Sequence, residues 1–189
     1  MNARPRAENA NPDSEAGGIS AAPESVIQRL LLACGVVGPI FFTATYLIEG
    51  ALHPGYDMVR QPISNLELVT NGWTQSANFI IFGLLIVCFA FGLRKELVRG
   101  VGATWIPLLQ GLVALGLIIS GVFVHDPLHT SGDILSFSAL VVSCFVFAMD
   151  TRWRGWATYS IVTGVLVLLF VIAFGVRIGT EQKIEISGK

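Results

Sequence analysis

Histidine and carboxylate side chains are concentrated in one short segment, which contains His125, Asp126, His129 and Asp133. Imidazole and carboxylate groups are zinc ligands, and a zinc-bound water with a pKa near 7 can attack an ester or amide. On a helix that begins at Pro127, His129 and Asp133 are four residues apart and share a face. These four residues are therefore candidate ligands of a zinc ion. The favoured interpretation needs no cofactor: Asp126 caps a helix and the histidines lie at the level of the lipid head groups.

A second polar segment follows the first apolar stretch. Its candidate ligand-binding residues are His53, Arg60, Ser64 and Asn65, and the candidate general bases are Glu49 and Asp57. The spacing of Asp57 and Arg60 allows them to pair, and we favour an ordered polar cap braced by this ion pair over direct ligand contact. Pro62 can begin a short helix that places Ile63, Leu66 and Val69 on one face.

The composition is typical of an integral membrane protein. Hydrophobic residues make up 53% of the chain and charged residues only 13%, against about 25% charged in an ordinary soluble domain. The net charge of −1 gives no indication of a nucleic-acid partner. The three cysteines, Cys34, Cys88 and Cys144, lie in apolar stretches without CxxC spacing, which favours small core residues over a redox or metal site.

Five apolar stretches predict an all-α bundle of five transmembrane helices. They cover about 26–51, 73–93, 105–124, 127–149 and 156–176. The first contains 19 consecutive uncharged residues, 30–48, close to the ~20 that cross a hydrocarbon core. We predict three regions: a disordered cytoplasmic leader over 1–24, the helical domain over 25–178 and a polar tail over 179–189. Small-residue pairs such as Gly116 and Ser120 are expected to pack helices together.

The fourth span needs an early start. Only 16 residues, 134–149, separate Asp133 from Asp150, which is too short for a core of about 30 Å. Asp126 is a favoured N-cap and Pro127 suits the first helical position, so a helix from Pro127 reaches the necessary length. A start at Thr130 or Ser131 is the alternative.

The distribution of Lys and Arg predicts the orientation, because positively charged short loops stay in the cytoplasm. Eight lie on one side: Arg4, Arg6, Arg29, Arg94, Lys95, Arg99, Arg152 and Arg154. Four lie on the other: Arg60, Arg177, Lys183 and Lys189. We therefore expect a cytoplasmic N-terminus, an extracytoplasmic C-terminus, and both polar segments outside.

The order of residues in the first polar segment resembles a known family. The matching runs are His53-Pro54-Gly55-Tyr56-Asp57 with Arg60, Pro62-Ile63-Ser64-Asn65-Leu66, and Gly121-x-Phe123-x-x-Asp126-Pro127. They resemble the prokaryotic multipass membrane proteins grouped as domain of unknown function 998, over about residues 30–178. The resemblance implies a helical bundle in the cell membrane and a special role for the outer segments, but no established reaction. Family members typically have a sixth span, which is not found here. In the segment from His125 to Asp133, Asp126 is the position that matches the family pattern.

Three functions remain open at this level. The favoured one is a binding or scaffold component of the inner membrane, with the lipid bilayer around it and a second copy or another membrane protein as a possible partner. The alternative is a metal-dependent hydrolase of a lipid or lipid-linked substrate. A small-solute carrier is the third, although every Asp, Glu, Lys and Arg lies at or beyond the end of a span, which argues against an ion path.

Overall fold

The computed structural model describes residues 25–124, 126–150 and 154–187, without the side chains of 174 and 177–187. Its helices are α1 (Val26–Leu52), the 3-10 helix η1 (Ile63–Leu68), α2 (Trp73–Glu96), α3 (Gly102–Val122), α4 (Pro127–Met149) and α5 (Arg154–Ser187). In the described part of the chain, five helices are long and apolar enough to cross a membrane. The predicted all-α architecture with five spans is confirmed. The predicted leader, 1–24, lies outside the described residues.

Side-chain caps explain where two of the helices begin. The Ser25 hydroxyl accepts a hydrogen bond from the backbone N–H of Gln28 at the start of α1. The Asp126 carboxylate accepts one from Leu128 at 2.8 Å, and Pro127 follows as the first residue of α4. The prediction of a capped start at Pro127 is confirmed, and the later alternative start is wrong. Helix α5 continues past its apolar span, Arg154–Ala173, as far as Ser187.

The five long helices form an open row. Within the described residues, contacts join α1 to α2, α2 to α3, α3 to α4 and α4 to α5, while η1 rests on α1 and α2. Because α1 and α5 each pack on one neighbour, most of their apolar side chains are exposed, and in a bilayer lipid covers them. The middle of the row is an apolar core from α2, α3 and α4, made of Ile86, Leu109, Val113, Ala114 and Ala139.

The row has two chemically different ends. We call the end where α1 and α3 finish and α2 and α4 begin the histidine end, and the opposite end the arginine end. At the histidine end small residues bring α3 and α4 close together: a Cβ on Gly132 would lie 2.6 Å from the carbonyl oxygen of Gly116. The Ser136 hydroxyl donates to the carbonyl of Val113 at 2.9 Å. This close approach confirms the packing role predicted for Gly116 and Ser120, and it sets the start of α4 against the end of α3.

At the arginine end, Pro107 lies inside α3. Proline has no N–H, so the carbonyl four residues earlier, that of Ala103, loses its helical partner. The Arg94 guanidinium donates to this carbonyl at 3.0 Å. A side chain from the end of α2 thus replaces the hydrogen bond that proline removes and joins α2 to α3.

Candidate functional site

The segment between α1 and α2 folds back onto the bundle and buries an acidic residue. Its 3-10 helix begins after Pro62, as the sequence predicts, and places Leu66 and Glu67 inward, at 1% and 7% exposure. Asn71, with φ of 66°, then reverses the chain before Trp73. Gly72 is required at this turn, because a Cβ there would overlap the carbonyl oxygen of Glu67.

Glu67 is the central residue of the site. Its side chain has no exposed surface, and neither carboxylate oxygen has a hydrogen-bond partner in good geometry, although the Ser76 hydroxyl lies close enough to act on the carboxyl group. One of them, Oε2, lies 3.5 Å from Nδ1 of His129. Burial raises the pKa of Glu67 from 4.5 to about 7; Asp133 adds to this rise, while His129 and Ser76 oppose it. The carboxyl group can therefore gain or lose a proton near neutral pH.

The imidazole ring of His129 lies between the carboxylates of Glu67 and Asp133 and is held in place by a hydrogen bond to the backbone. Its Nδ1 is 2.8 Å from the carbonyl oxygen of Ser120, and because a carbonyl only accepts, Nδ1 carries a hydrogen. The other nitrogen, Nε2, lies 3.5 Å from Oδ2 of Asp133 and has no hydrogen-bond partner. The Ser120 hydroxyl donates to the other oxygen of Asp133 at 2.8 Å. His129 and Asp133 share one helix face, as predicted, and Glu67 joins them from η1; these three form the Glu–His–Asp cluster.

A cleft of about 530 Å³ opens beside this cluster. We call it the Glu67 cleft; it is lined by Glu67, Trp73, Ser76, Val122, Phe123, Val124 and Asp126. The cleft is shallow and open to its surroundings, not an enclosed cavity. Among the described residues, the charged ones in its lining are Glu67 and Asp126, and the side chain of Glu67 lies beneath the surface of the cleft.

His53 fastens the end of α1 to the segment that carries Glu67. Its ring nitrogens lie 2.9 Å from the carbonyl oxygen of Glu49 and 3.0 Å from that of Thr70. Two carbonyl acceptors require two N–H donors, which only the imidazolium form provides. These two backbone hydrogen bonds raise the pKa of His53 above 6.5. In this arrangement His53 holds the backbone, and no ring nitrogen is left to contact a ligand.

The other predicted residues of the first segment occupy different surroundings. Glu49 is buried at 8% exposure, and neither carboxylate oxygen has a hydrogen-bond partner. Asp57 and Arg60 form the predicted ion pair, with 3.6 Å between Oδ2 and Nε, on side chains that are 46% and 77% exposed. Ser64 and Asn65 lie half-buried in η1.

The predicted metal site stays a prediction. Asp126 has one carboxylate oxygen engaged in capping α4, and Nδ1 of His129 is engaged by Ser120. Across the described residues no group of three or more His, Cys, Asp or Glu side chains is arranged to hold a metal ion. His125, the remaining candidate ligand, lies outside those residues.

Sequence reasoning missed Glu67, Gln75, Asn78 and Ser120 as members of the polar region. Gln75 and Asn78 are 0% and 1% exposed, and the Asn78 amide donates to the carbonyl of Phe42 at 3.1 Å and to Gln75 at 3.3 Å. The sequence does hold a signal for this pair: two amide side chains one helical turn apart at the start of an apolar span are expected to pair, because unpaired polar groups are costly in a membrane. The burial of Glu67 could have been suspected from its position between Leu66 and Leu68 in the short helix that follows Pro62.

The chain belongs to the family described as protein of unknown function DUF998, whose model matches residues 36–183. With five helices able to span a membrane, it is a multipass membrane protein of that family. No curated protein and no solved structure matches it.

Proposed function

We propose that this protein is a binding protein of the prokaryotic cell membrane. Its site is the Glu67 cleft at the histidine end, which faces the extracytoplasmic side. The segment that joins α1 to α2 acts as an ordered polar cap over this site.

One observation carries the proposal. Glu67 is a buried carboxylate whose two oxygens have no well-placed hydrogen-bond partner among the described residues, and it lies directly beneath an open cleft. Burying such a group without partners costs free energy, and a protein normally satisfies it with a side chain, a water or a ligand. The frame around it is closely packed, because neither the turn at Gly72 nor the contact between α3 and α4 leaves room for an added Cβ. An unsatisfied group held on a rigid frame is typical of a binding site.

Binding accounts for the geometry better than hydrolysis does. A hydrolytic site needs a nucleophile or a metal-bound water beside a base, and here Ser120 donates its hydroxyl hydrogen to Asp133 while Nδ1 of His129 is held by a carbonyl. The hydrolase therefore remains the second candidate, supported by the clustering of His129 with two carboxylates. Metal analysis of the purified parent and of a variant with His125→Ala and His129→Ala tests it. The hydrolase requires bound zinc that the double variant loses, and equal metal content in both would remove it.

Ligand-dependent thermal stability of the purified full chain tests the binding function. The soluble probes are n-butylammonium, n-butyrate, 1,4-butanediol and zinc, all at equal ionic strength. Nanodiscs of phosphatidylethanolamine and of phosphatidylglycerol present two lipid head groups. Any ligand that binds only the folded state raises the unfolding temperature.

The comparison uses two matched variants that each remove one negative charge. Glu67→Gln changes the cleft, and Glu96→Gln changes the arginine end, where Glu96 accepts a hydrogen bond from Gln28 at 2.8 Å. We expect at least one probe to stabilise the parent and Glu96→Gln but not Glu67→Gln. The binding function is wrong if no soluble probe and neither head group gives a shift that depends on Glu67.

A further inference from the structure

Two of the three cysteines meet across the contact between α1 and α2. A Cβ on Gly35 of α1 would touch the ring of Phe89 of α2, and Cys34 and Cys88 directly precede these two residues. The two thiols lie within hydrogen-bonding reach of each other. The Cys34 thiol donates its hydrogen to the carbonyl of Leu30 at 3.3 Å, so its sulfur can accept the hydrogen of Cys88.

From this geometry we propose that Cys34 and Cys88 are a redox pair, which a lipid-soluble quinone oxidises to a disulfide that joins α1 to α2. The pair lies toward the arginine end, so it is separate from the Glu67 cleft and independent of the proposed binding function. The sequence favours small packed residues at these positions because the two cysteines are far apart in the chain, and they meet only when α1 and α2 are packed.

The backbones of the two helices approach each other closely beside the pair. A Cβ on Gly92 of α2 would lie 3.1 Å from the backbone of Leu31 of α1. Cys34 and Cys88 are each one helical turn from this contact and on the same helix faces. A disulfide requires two Cα atoms about 4.4–6.8 Å apart. The close approach of the helices therefore suits a bond between these two cysteines.

The depth of the pair in the membrane determines which oxidant can reach it. Eight residues separate Val26 from Cys34, and eight separate Cys88 from Glu96, which places both thiols about 12 Å from the arginine end. Both side chains are half-buried, and lipid surrounds the outside of the helix row. A quinone with an apolar tail dissolves in this lipid, whereas a charged oxidant is costly to move into it.

The reaction balances with one quinone per pair. The two S–H bonds break and one S–S bond forms, while the two electrons and two protons released reduce the quinone to a hydroquinone. A dithiol reductant reverses the reaction by thiol–disulfide exchange. Apolar surroundings disfavour the thiolate, which is the reactive form, so we expect oxidation to take on the order of minutes to hours.

The experiment follows the thiols of the purified full chain in nanodiscs. The protein is first reduced, and the reductant is removed. Decylubiquinone, which is soluble in lipid, is compared with glutathione disulfide, which is charged and soluble in water. Free thiols are then blocked under denaturing conditions, and any disulfide is reduced and labelled with a maleimide of polyethylene glycol. Gel mobility counts the labelled cysteines, mass spectrometry identifies the linked peptides, and absorbance measures the hydroquinone formed.

We expect decylubiquinone to produce two labelled cysteines per chain and one hydroquinone per disulfide. Cys34→Ser and Cys88→Ser should each abolish the labelling. Cys144→Ser is the matched control and should leave it unchanged, because Cys144 lies on α4. Glutathione disulfide should react at least about tenfold more slowly than the quinone, since it carries charge into hydrocarbon.

Three results would overturn the inference. The first is a parent protein that keeps all three thiols free in the presence of the quinone, a measurement that needs no variant. The second is a disulfide that includes Cys144 or joins two chains. The third is oxidation by glutathione disulfide as fast as by the quinone, which would show that the oxidant reaches the pair from water.

Discussion

The two ends of the helix row treat their polar side chains in opposite ways. At the arginine end the polar groups are paired: Gln28 with Glu96 at 2.8 Å, Arg94 with the carbonyl that Pro107 frees, and nearer the middle Gln110 with Ser143 at 2.9 Å. At the histidine end several polar side chains are buried with at least one polar atom left unpaired. In the described part of the chain every buried side-chain N or O atom without a hydrogen bond belongs to that end, on Glu49, Glu67, Gln75, Asn78 or His129.

This difference separates structural polar groups from candidate functional ones. A paired polar group in a membrane protein holds helices together, and its loss is measured as lost stability. A buried group without partners contributes no such hydrogen bond, and its retention points to a ligand or a proton. The two ends should therefore respond to mutation in these two ways.

The largest expected effect is at the contact between α3 and α4. Gly132→Ala should destabilise the protein by about 3 kcal/mol, the upper part of the range for overpacking, because the added Cβ meets the Gly116 backbone and Ser120. Gly111→Ala in α3 is the matched control, since a Cβ there meets nothing within 4 Å. Unfolding in mixed detergent measures both. Equal stability of the two variants would show that the close approach is not required.

The next effect tests the pairing at the arginine end. Arg94→Met should cost about 1 kcal/mol, because the carbonyl of Ala103 is left without a donor. Adding Pro107→Ala should recover stability, since alanine restores the N–H that this carbonyl lacks. The same unfolding measurement applies to both variants. The explanation fails if Pro107→Ala gives the same change in the parent and in Arg94→Met.

The histidine end should respond to pH. The pKa of Glu67 is raised from 4.5 to about 7 in the folded protein, so the folded state favours the protonated form. The stabilising contribution is present below pH 4.5 and is lost as the pH rises through about 7. The unfolding temperature of the parent should therefore fall over this window relative to Glu67→Gln. Parallel curves for the two proteins would contradict the assignment.

His53 contributes with the same sign, which is why the difference between the parent and Glu67→Gln is the quantity to measure. Its pKa is raised above 6.5 by the carbonyl oxygens of Glu49 and Thr70, so its stabilising contribution is also lost as the pH rises. This loss should appear equally in both proteins and cancel in their difference.

The smallest effect is expected at the exposed ion pair. Replacing Arg60 by Gln should change stability by less than about 0.5 kcal/mol, because both partners are well exposed and water screens the pair. Asp57→Ala should cost more, since it also removes the carboxylate oxygen that accepts hydrogen bonds from the backbone N–H groups of Val59 and Arg60. Equal losses for the two variants would show that the ion pair, and not the turn, holds this part of the segment.

Much of the fold followed from the sequence because the signals are local. The length of an apolar run predicts a span, Asp126 followed by Pro127 predicts a helix start, and Asp57 with Arg60 predicts a neighbouring pair; the structure has all of these. The shared helix face of His129 and Asp133 was also predicted correctly, because residues four positions apart on a helix lie on the same face.

The sequence by itself determined that this protein is a five-span membrane protein and where its spans begin, since hydropathy and capping act over a few neighbouring residues. Only the tertiary structure decided which polar residues meet. Glu67 meets His129 because η1 packs on α1 and α2 and directs this side chain toward the start of α4, and His129 meets Ser120 because Gly116 and Gly132 let two helices approach. These contacts join residues far apart in the chain, and no local pattern of residue types specifies them. The Glu–His–Asp cluster thus became visible only once the helices were packed.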